Sequence, residues 1–101
     1  MLLMKKEFFA AVRSGAKTTT LRFWLRPRVR PHSIHRIPGL GAVRIDEVQP
    51  VDPRRLTAAD ASADGFPSLP ALRAALRRLY PPSRRNGRRL YRIRFTFLAE
   101  R

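Results

Sequence analysis

The chain has 101 residues, no cysteine and a formal net charge of +15 at pH 7, from 22 Lys plus Arg against 7 Asp plus Glu. That length bounds it to a single domain, 1–101, with one modest core, and the missing thiols exclude disulfides and thiolate metal sites. So large a cationic excess opposes compaction and attracts polyanions.

Nineteen of the basic residues are arginine. Its planar fork matches phosphate and stacks on bases, so nucleic acid, RNA above all, is the expected partner. A GC-rich genome writes many of the same codons, so the distribution matters more than the count. No acid lies between Glu7 and Asp46, or between Asp64 and Glu100, which predicts a one-sided positive field. No apolar stretch is long enough to span a bilayer. In the opening MLLMKKEFF the lysines follow the apolar residues, unlike a secretory signal, so no membrane association and a cytoplasmic location are expected.

Met1–Met4 reads as a short strand. Lys5–Ser14 carries Phe8, Phe9 and Val12 on one helical face, and Gly15 suits the residue after its end. Thr18–Trp24 is a strand rich in β-formers. Its alternation puts Leu21 and Phe23 on one face and Thr20, Arg22 and Trp24 on the other. Arg26–Pro31 (RPRVRP) cannot continue as regular structure, because its prolines remove donors and restrict their neighbours; it is an extended basic loop. Ile34–Ile37 is a short strand and Pro38-Gly39 a turn.

Ala42–Val48 is a strand with Val43 and Ile45 pointing inward, and Val51–Leu56 a linker. Thr57–Asp60 (TAAD) opens one helical turn, with Thr as cap and Asp suited to the first turn, and Gly65 ends it. Ser68–Tyr80 is the strongest helix: Leu69, Leu72, Leu76 and Leu79 recur at helical spacing, with Arg73, Arg77 and Arg78 facing away. Pro81-Pro82 terminates it and Ser83–Arg88 is a basic turn. Arg89–Leu98 is the clearest strand, with Tyr91, Ile93, Phe95 and Phe97 alternating with Arg92, Arg94 and Thr96. The mixed order predicts a small α+β domain with two main helices around a curved sheet or open barrel.

The stretch GAKTTTLR, residues 15–22, spells G-x-K-x-x-T-x-R. On a strand, Thr20 and Arg22 share a face with Lys17 at its entrance. An alcohol, an ammonium and a guanidinium then converge on one wall; a solvated strand edge with a chance charge pair is the alternative. His32 and His35 form H-x-x-H in a proline-bounded loop, but without cysteine or nearby acids no metal site is expected. No Gly-rich phosphate loop or Ser-His-Asp arrangement is present.

This pattern resembles the signature of the ASCH domain, a PUA-like β-barrel family linked to RNA. The usual form is G-x-K-x-x-E-x-R, which Gly15, Lys17 and Arg22 match, with Thr20 at the glutamate position. The remaining order is also similar: a helix before the motif, "VRIDEVQPV", "LTAADASADGF", a helix ending in "LY", and "LYRIRFTF". The resemblance implies a PUA-like open β-barrel. The threonine variant is similar to a small bacterial subgroup that resembles the N4-acetylcytidine amidohydrolases, which implies Lys17, Thr20 and a downstream acid as catalytic residues. Asp64 stands where that acid is glutamate, one methylene longer.

Three functions remain open from the residues. In a binding module, RNA lies along an arginine-lined groove with one nucleotide in a pocket of Lys17, Thr20, Arg22, Trp24 and Asp64, Trp24 offering a stacking face. In a hydrolase that needs no cofactor, Thr20 is the nucleophile, Lys17 the base and Asp64 the orienter for an N4-acylated cytidine nucleoside, or Lys17 stabilises the phosphorane in single-strand RNA cleavage. In a basic accessory protein there is no pocket function. The expected phosphate contacts are Arg26, Arg28 and Arg30 in one loop and Arg84, Arg85, Arg88 and Arg89 in the other, with the helix face at Arg73, Arg77 and Arg78 a weaker candidate.

Overall fold

A computed structural model describes residues 2–99, with the Ala99 side chain excluded. Met1, with which the expected first strand begins, lies outside the described residues; Leu2–Met4 form extended chain without a strand partner. A single 3-10 turn, Lys6–Phe8, leads into α1 (Phe9–Ser14). Gly15 ends α1 with φ +82, a left-handed conformation that glycine adopts without steric cost.

Four strands follow the expected order: β1 (Thr19–Trp24), β2 (Ile34–Ile37), β3 (Gly41–Pro50) and β4 (Arg89–Ala99). They form one antiparallel sheet in the order β1-β4-β3-β2. The sheet does not close, because β1 and β2 are both edges. Register shifts between Ala42 and Val43 and between Ile45 and Glu47 add the local bends that curl such a sheet. The result is the α+β open barrel that the element order predicts.

Two apolar clusters sit on opposite faces of the sheet. Inside the curve, Val43, Ile45, Tyr91, Ile93, Phe95 and Trp24 pack with Leu2, Phe9 and Val12. On the outer face Leu21, Phe23 and Leu90 pack with Leu56, Ala61 and Leu72. Strand β1 is therefore covered on both sides, and Arg22 is its only residue that is not fully buried. The predicted alternation of its side chains holds, but both faces are interior.

The helices of the outer layer are set by their caps. α2 (Ala58–Ala63) runs longer than the single turn expected, because Thr57 and Asp60 form a reciprocal capping box. α3 (Leu69–Leu79) starts at Ser68, whose hydroxyl accepts from the Ala71 N–H at 3.2 Å, and stops at Tyr80 before the two prolines. Arg73 is half-buried and donates to the Pro53 carbonyl at 3.0 Å, and Arg78 pairs with Glu7 at 2.7 Å, so this helix face is partly committed to structure. Pro82–Arg85 closes into a short α4 where a turn was expected, and Pro53–Arg55, inside the expected linker, forms a 3-10 turn capped by Asp52. Thr57→Ala should lower stability by about 1 kcal/mol, read from a urea midpoint, because it removes the cap that starts the helix leading to Asp64.

No described helix is long and apolar enough to cross a membrane.

Candidate functional site

The site begins at the junction of α1 and β1. Lys17 N–H donates to the Ala11 carbonyl at 2.9 Å, and Thr18 N–H to the Ala63 carbonyl at 2.8 Å. Lys17 also forms an isolated antiparallel bridge with Asp64. The start of β1 is thus stitched to the end of α2. Gly65, with φ +87, makes the close approach feasible: a Cβ there would stand 3.1 Å from the Lys17 Cβ.

The stitching brings the ammonium and the carboxylate together. Lys17 Nζ donates to Asp64 Oδ1 in an ion pair and to the Asp64 carbonyl at 3.1 Å. Both residues are only 4% exposed. The ammonium also lies 5.0 Å from the Phe8 ring centroid and 6.0 Å from that of Phe66, within cation–π range. Burial pulls the Lys17 pKa below its ordinary value; Asp64 opposes that shift and Arg22 adds to it. Burial pushes Asp64 up to about 6, with Lys17 working against the rise. Burial thus works against both charges, and each charge opposes the shift of the other.

Thr20 and Arg22 form a second pair on the inner face of β1. Arg22 Nε donates to Thr20 Oγ1 at 3.0 Å, and Arg22 Nη2 donates to the Leu3 carbonyl at 2.5 Å. Burial lowers the Arg22 pKa too. No hydrogen bond joins Lys17 to Thr20 among the described residues; the Lys17 ammonium donates to Asp64.

These groups line one cavity of about 480 Å³, within the usual range for a small-ligand site. Lys17, Thr20, Arg22, Trp24 and Asp64 all border it. So do Arg28, Arg84 and Arg88, whereas Arg26, Arg30, Arg85 and Arg89 do not. Trp24 is 7% exposed and its ring lies 6.2 Å from that of Tyr91, tilted by 37°. It is chiefly a core residue with an edge on the cavity.

The two basic loops leave the same end of the sheet, because Trp24 pairs with Arg89 across β1 and β4. Val29 is buried and pins the first loop to the core, leaving Arg28 and Arg30 exposed on either side. None of the seven loop arginines forms an ion pair among the described residues. Arg92, on the face of β4 that alternates with its apolar residues, is half-buried and bound to Asp60 at 3.0 Å and Gln49 at 2.7 Å. No group of three described His, Asp or Glu residues could hold a metal ion. His35 meets the Ser33 hydroxyl at 2.9 Å, and His32 adopts φ 73.

Sequence reasoning did not assign Phe8, Phe66 or Tyr80 to the site, though all three line the cavity. Their signals were local: Phe66 follows the Asp64-Gly65 turn, and Tyr80 directly precedes two prolines.

An open antiparallel sheet flanked by helices, with a cavity beside its first strand, is a PUA-like α+β fold. More particularly, the fold is that of the ASCH domain. The chain superposes on the ASCH domain from Lactobacillus crispatus JV V101 with a TM-score of 0.73 at 13% identity, over 86% of this chain and 67% of that one. It is equally similar to the hypothetical protein PH0355, with a TM-score of 0.74 at 16% identity over 95% of both chains. No family model matches the sequence, and no curated protein matches it either.

Proposed function

We propose that the protein binds single-stranded RNA and seats one nucleotide in the cavity, with flanking phosphates on Arg28, Arg84 and Arg88. One observation carries this reading: a cavity of nucleotide size opens beside three arginines that form no ion pair among the described residues. The interior supplies complementary polar groups. Lys17 has three N–H donors, of which Asp64 takes two, and Asp64 and Thr20 supply oxygens toward a base edge. Anisotropy of a labelled single-stranded RNA across a salt series tests the proposal. The affinity should fall with a log–log slope of roughly −0.7 for each phosphate held. A flat salt response sinks it.

A second reading is favoured by Thr20, which lines the cavity and whose hydroxyl has a cation 3.0 Å away. A neighbouring positive charge stabilises a developing alkoxide. As nucleophile, Thr20 would give its proton to the base and attack the acyl carbon of an N4-acylated cytidine; the C–N bond breaks as the cytidine amine leaves with that proton, and water then hydrolyses the acyl-threonine ester, with Asp64 holding Lys17 in place. Lys17 acts as base only after its proton leaves toward Asp64 and its amine turns to Thr20. The ribonuclease form uses the Lys17 ammonium instead to stabilise a phosphorane. Incubation with N4-acetylcytidine and with labelled RNA separates these readings. Thr20→Val, nearly isosteric, should abolish any deacylation while changing RNA affinity only a fewfold. Product formation that survives Thr20→Val rules Thr20 out as nucleophile.

A further inference from the structure

Among the aromatic rings bordering the cavity, one is placed to receive a planar ligand. Trp24 is committed to the core beside Tyr91, and Phe8 and Phe66 meet edge to face at 6.1 Å around the Lys17 ammonium. Tyr80 is different. It is half-buried, lines the cavity, and meets Phe23 through an edge contact at 5.4 Å and 62°. An edge contact leaves ring surface uncovered. The residue is also held rigidly. Its N–H donates to the Leu76 carbonyl at 2.9 Å as the cap of α3, and the following Pro81 disfavours helical backbone there.

The guanidinium of Arg84 lies over the Tyr80 ring, 5.6 Å from its centroid. Arg84 is itself exposed and sits on the short α4, directly after the two prolines. An exposed cation–π contact of this kind is weaker than the stacking of a nucleobase on an aromatic side chain. A base entering the cavity therefore displaces the guanidinium, which carries a charge suited to the adjoining phosphate.

We infer that Tyr80 is the platform on which the base of the seated nucleotide stacks, and that Arg84 exchanges the Tyr80 ring for a neighbouring phosphate when the base arrives. This rests on the RNA-binding reading and adds to it the residue that distinguishes a base from bare backbone. The platform recognises a planar ring of any base, so it selects nucleobase over sugar-phosphate without selecting sequence.

The test compares a labelled mixed-sequence RNA of twelve nucleotides with a fully abasic strand of equal length and charge. The wild-type protein should bind the base-bearing strand roughly tenfold or more tightly than the abasic one. Tyr80→Leu retains an apolar contact to Phe23 and removes the π face; it should collapse that ratio toward one, while Tyr80→Phe preserves it. Arg84→Ala, at an exposed position outside the core that gives up only the contact with the Tyr80 ring, should make the salt slope of RNA binding shallower by about 0.7 and leave the ratio intact or larger. If wild type distinguishes the strands and Tyr80→Leu still does, the platform is elsewhere and the inference falls alone. If the ratio collapses in Arg84→Ala instead, Arg84 holds the base and the exchange is wrong. Should wild type bind both strands equally, no base enters the cavity, and the RNA-pocket reading fails with it.

Discussion

Asp64→Ala lowers the unfolding free energy by about 3–5 kcal/mol, the loss expected when one partner of a buried ion pair is removed and the other is left unpaired. The ammonium of Lys17 then sits 4% exposed with only the Asp64 backbone carbonyl still accepting from it. Two costs combine: lost attraction, and a buried charge that must lose its proton or draw in water. The control is the double replacement Lys17→Met with Asp64→Leu, which removes both charges. Apolar replacement of a whole buried pair is often neutral or stabilising, so the double variant should recover most of the loss. Urea denaturation of the three proteins measures it. A double variant as unstable as Asp64→Ala would show that shape at this junction, rather than charge, sets the stability.

The pH dependence of the same pair has a definite sign. The carboxyl of Asp64 has a pKa raised from 3.8 to about 6 in the folded protein. Between those values the folded chain binds more protons than the unfolded chain, so stability falls as pH rises through that window, by up to about 1.4 kcal/mol per pH unit from this group. Lys17 titrates below its ordinary value, so above that lowered value its contribution rises with pH until the unfolded lysine also loses its proton. Asp64→Asn should therefore flatten the stability profile between pH 4 and 6. A profile with the wild-type slope in that variant would assign the titration to another carboxylate.

Replacing Arg28, Arg84 and Arg88 together with alanine should weaken single-stranded RNA binding by roughly a hundredfold at 0.1 M salt and make the salt slope shallower by about 2, from three contacts at about 0.7 each. These three arginines border the cavity and are exposed, so their removal leaves the core untouched. Arg77→Ala, on the outer face of α3, removes the same charge away from the cavity and should cost far less. Equal losses per charge at both places would mean that RNA reads the summed field of the surface, as in a basic accessory protein without a pocket. In that case Thr20→Val and Tyr80→Leu would leave RNA affinity unchanged, whereas charge reversal across residues 84–89 would abolish it.

Much of the fold was legible because its signals are local. The β4 pattern of aromatic and aliphatic residues alternating with arginine has a period of two and one buried face, and the observed strand extends the expected Arg89–Leu98 by a single residue. The leucine spacing of α3, with serine before it and prolines after it, gave bounds within one residue at each end. The departures came where a local signal was overruled or extended. Thr57 and Asp60 cap each other and carry α2 through Ala63. Leu2 is drawn into the core, so Leu2–Met4 anchor the chain without forming a strand.

The site divides along the same line. Thr20 and Arg22 stand two residues apart on one strand, so the pleat alone puts them on one face, and their 3.0 Å hydrogen bond follows from it. The charge excess and its clustering in two loops are likewise properties of the amino-acid order. What the order cannot specify by itself is Asp64 against Lys17, a contact 47 residues apart along the chain. It depends on α2 docking on the outer face of β1 and on a glycine permitting the approach. Which of seven loop arginines reach the cavity is set by the β1–β4 register and by the buried anchor of Val29. The proposed stacking surface moves from Trp24 to Tyr80 for a tertiary reason. Both faces of β1 are covered, so the tryptophan is consumed by the core, while the tyrosine at the end of α3 is left with a face to offer. Short-range periodicity and charge are written in the chain; encounters between distant segments emerge only when the two apolar faces of one sheet are both buried.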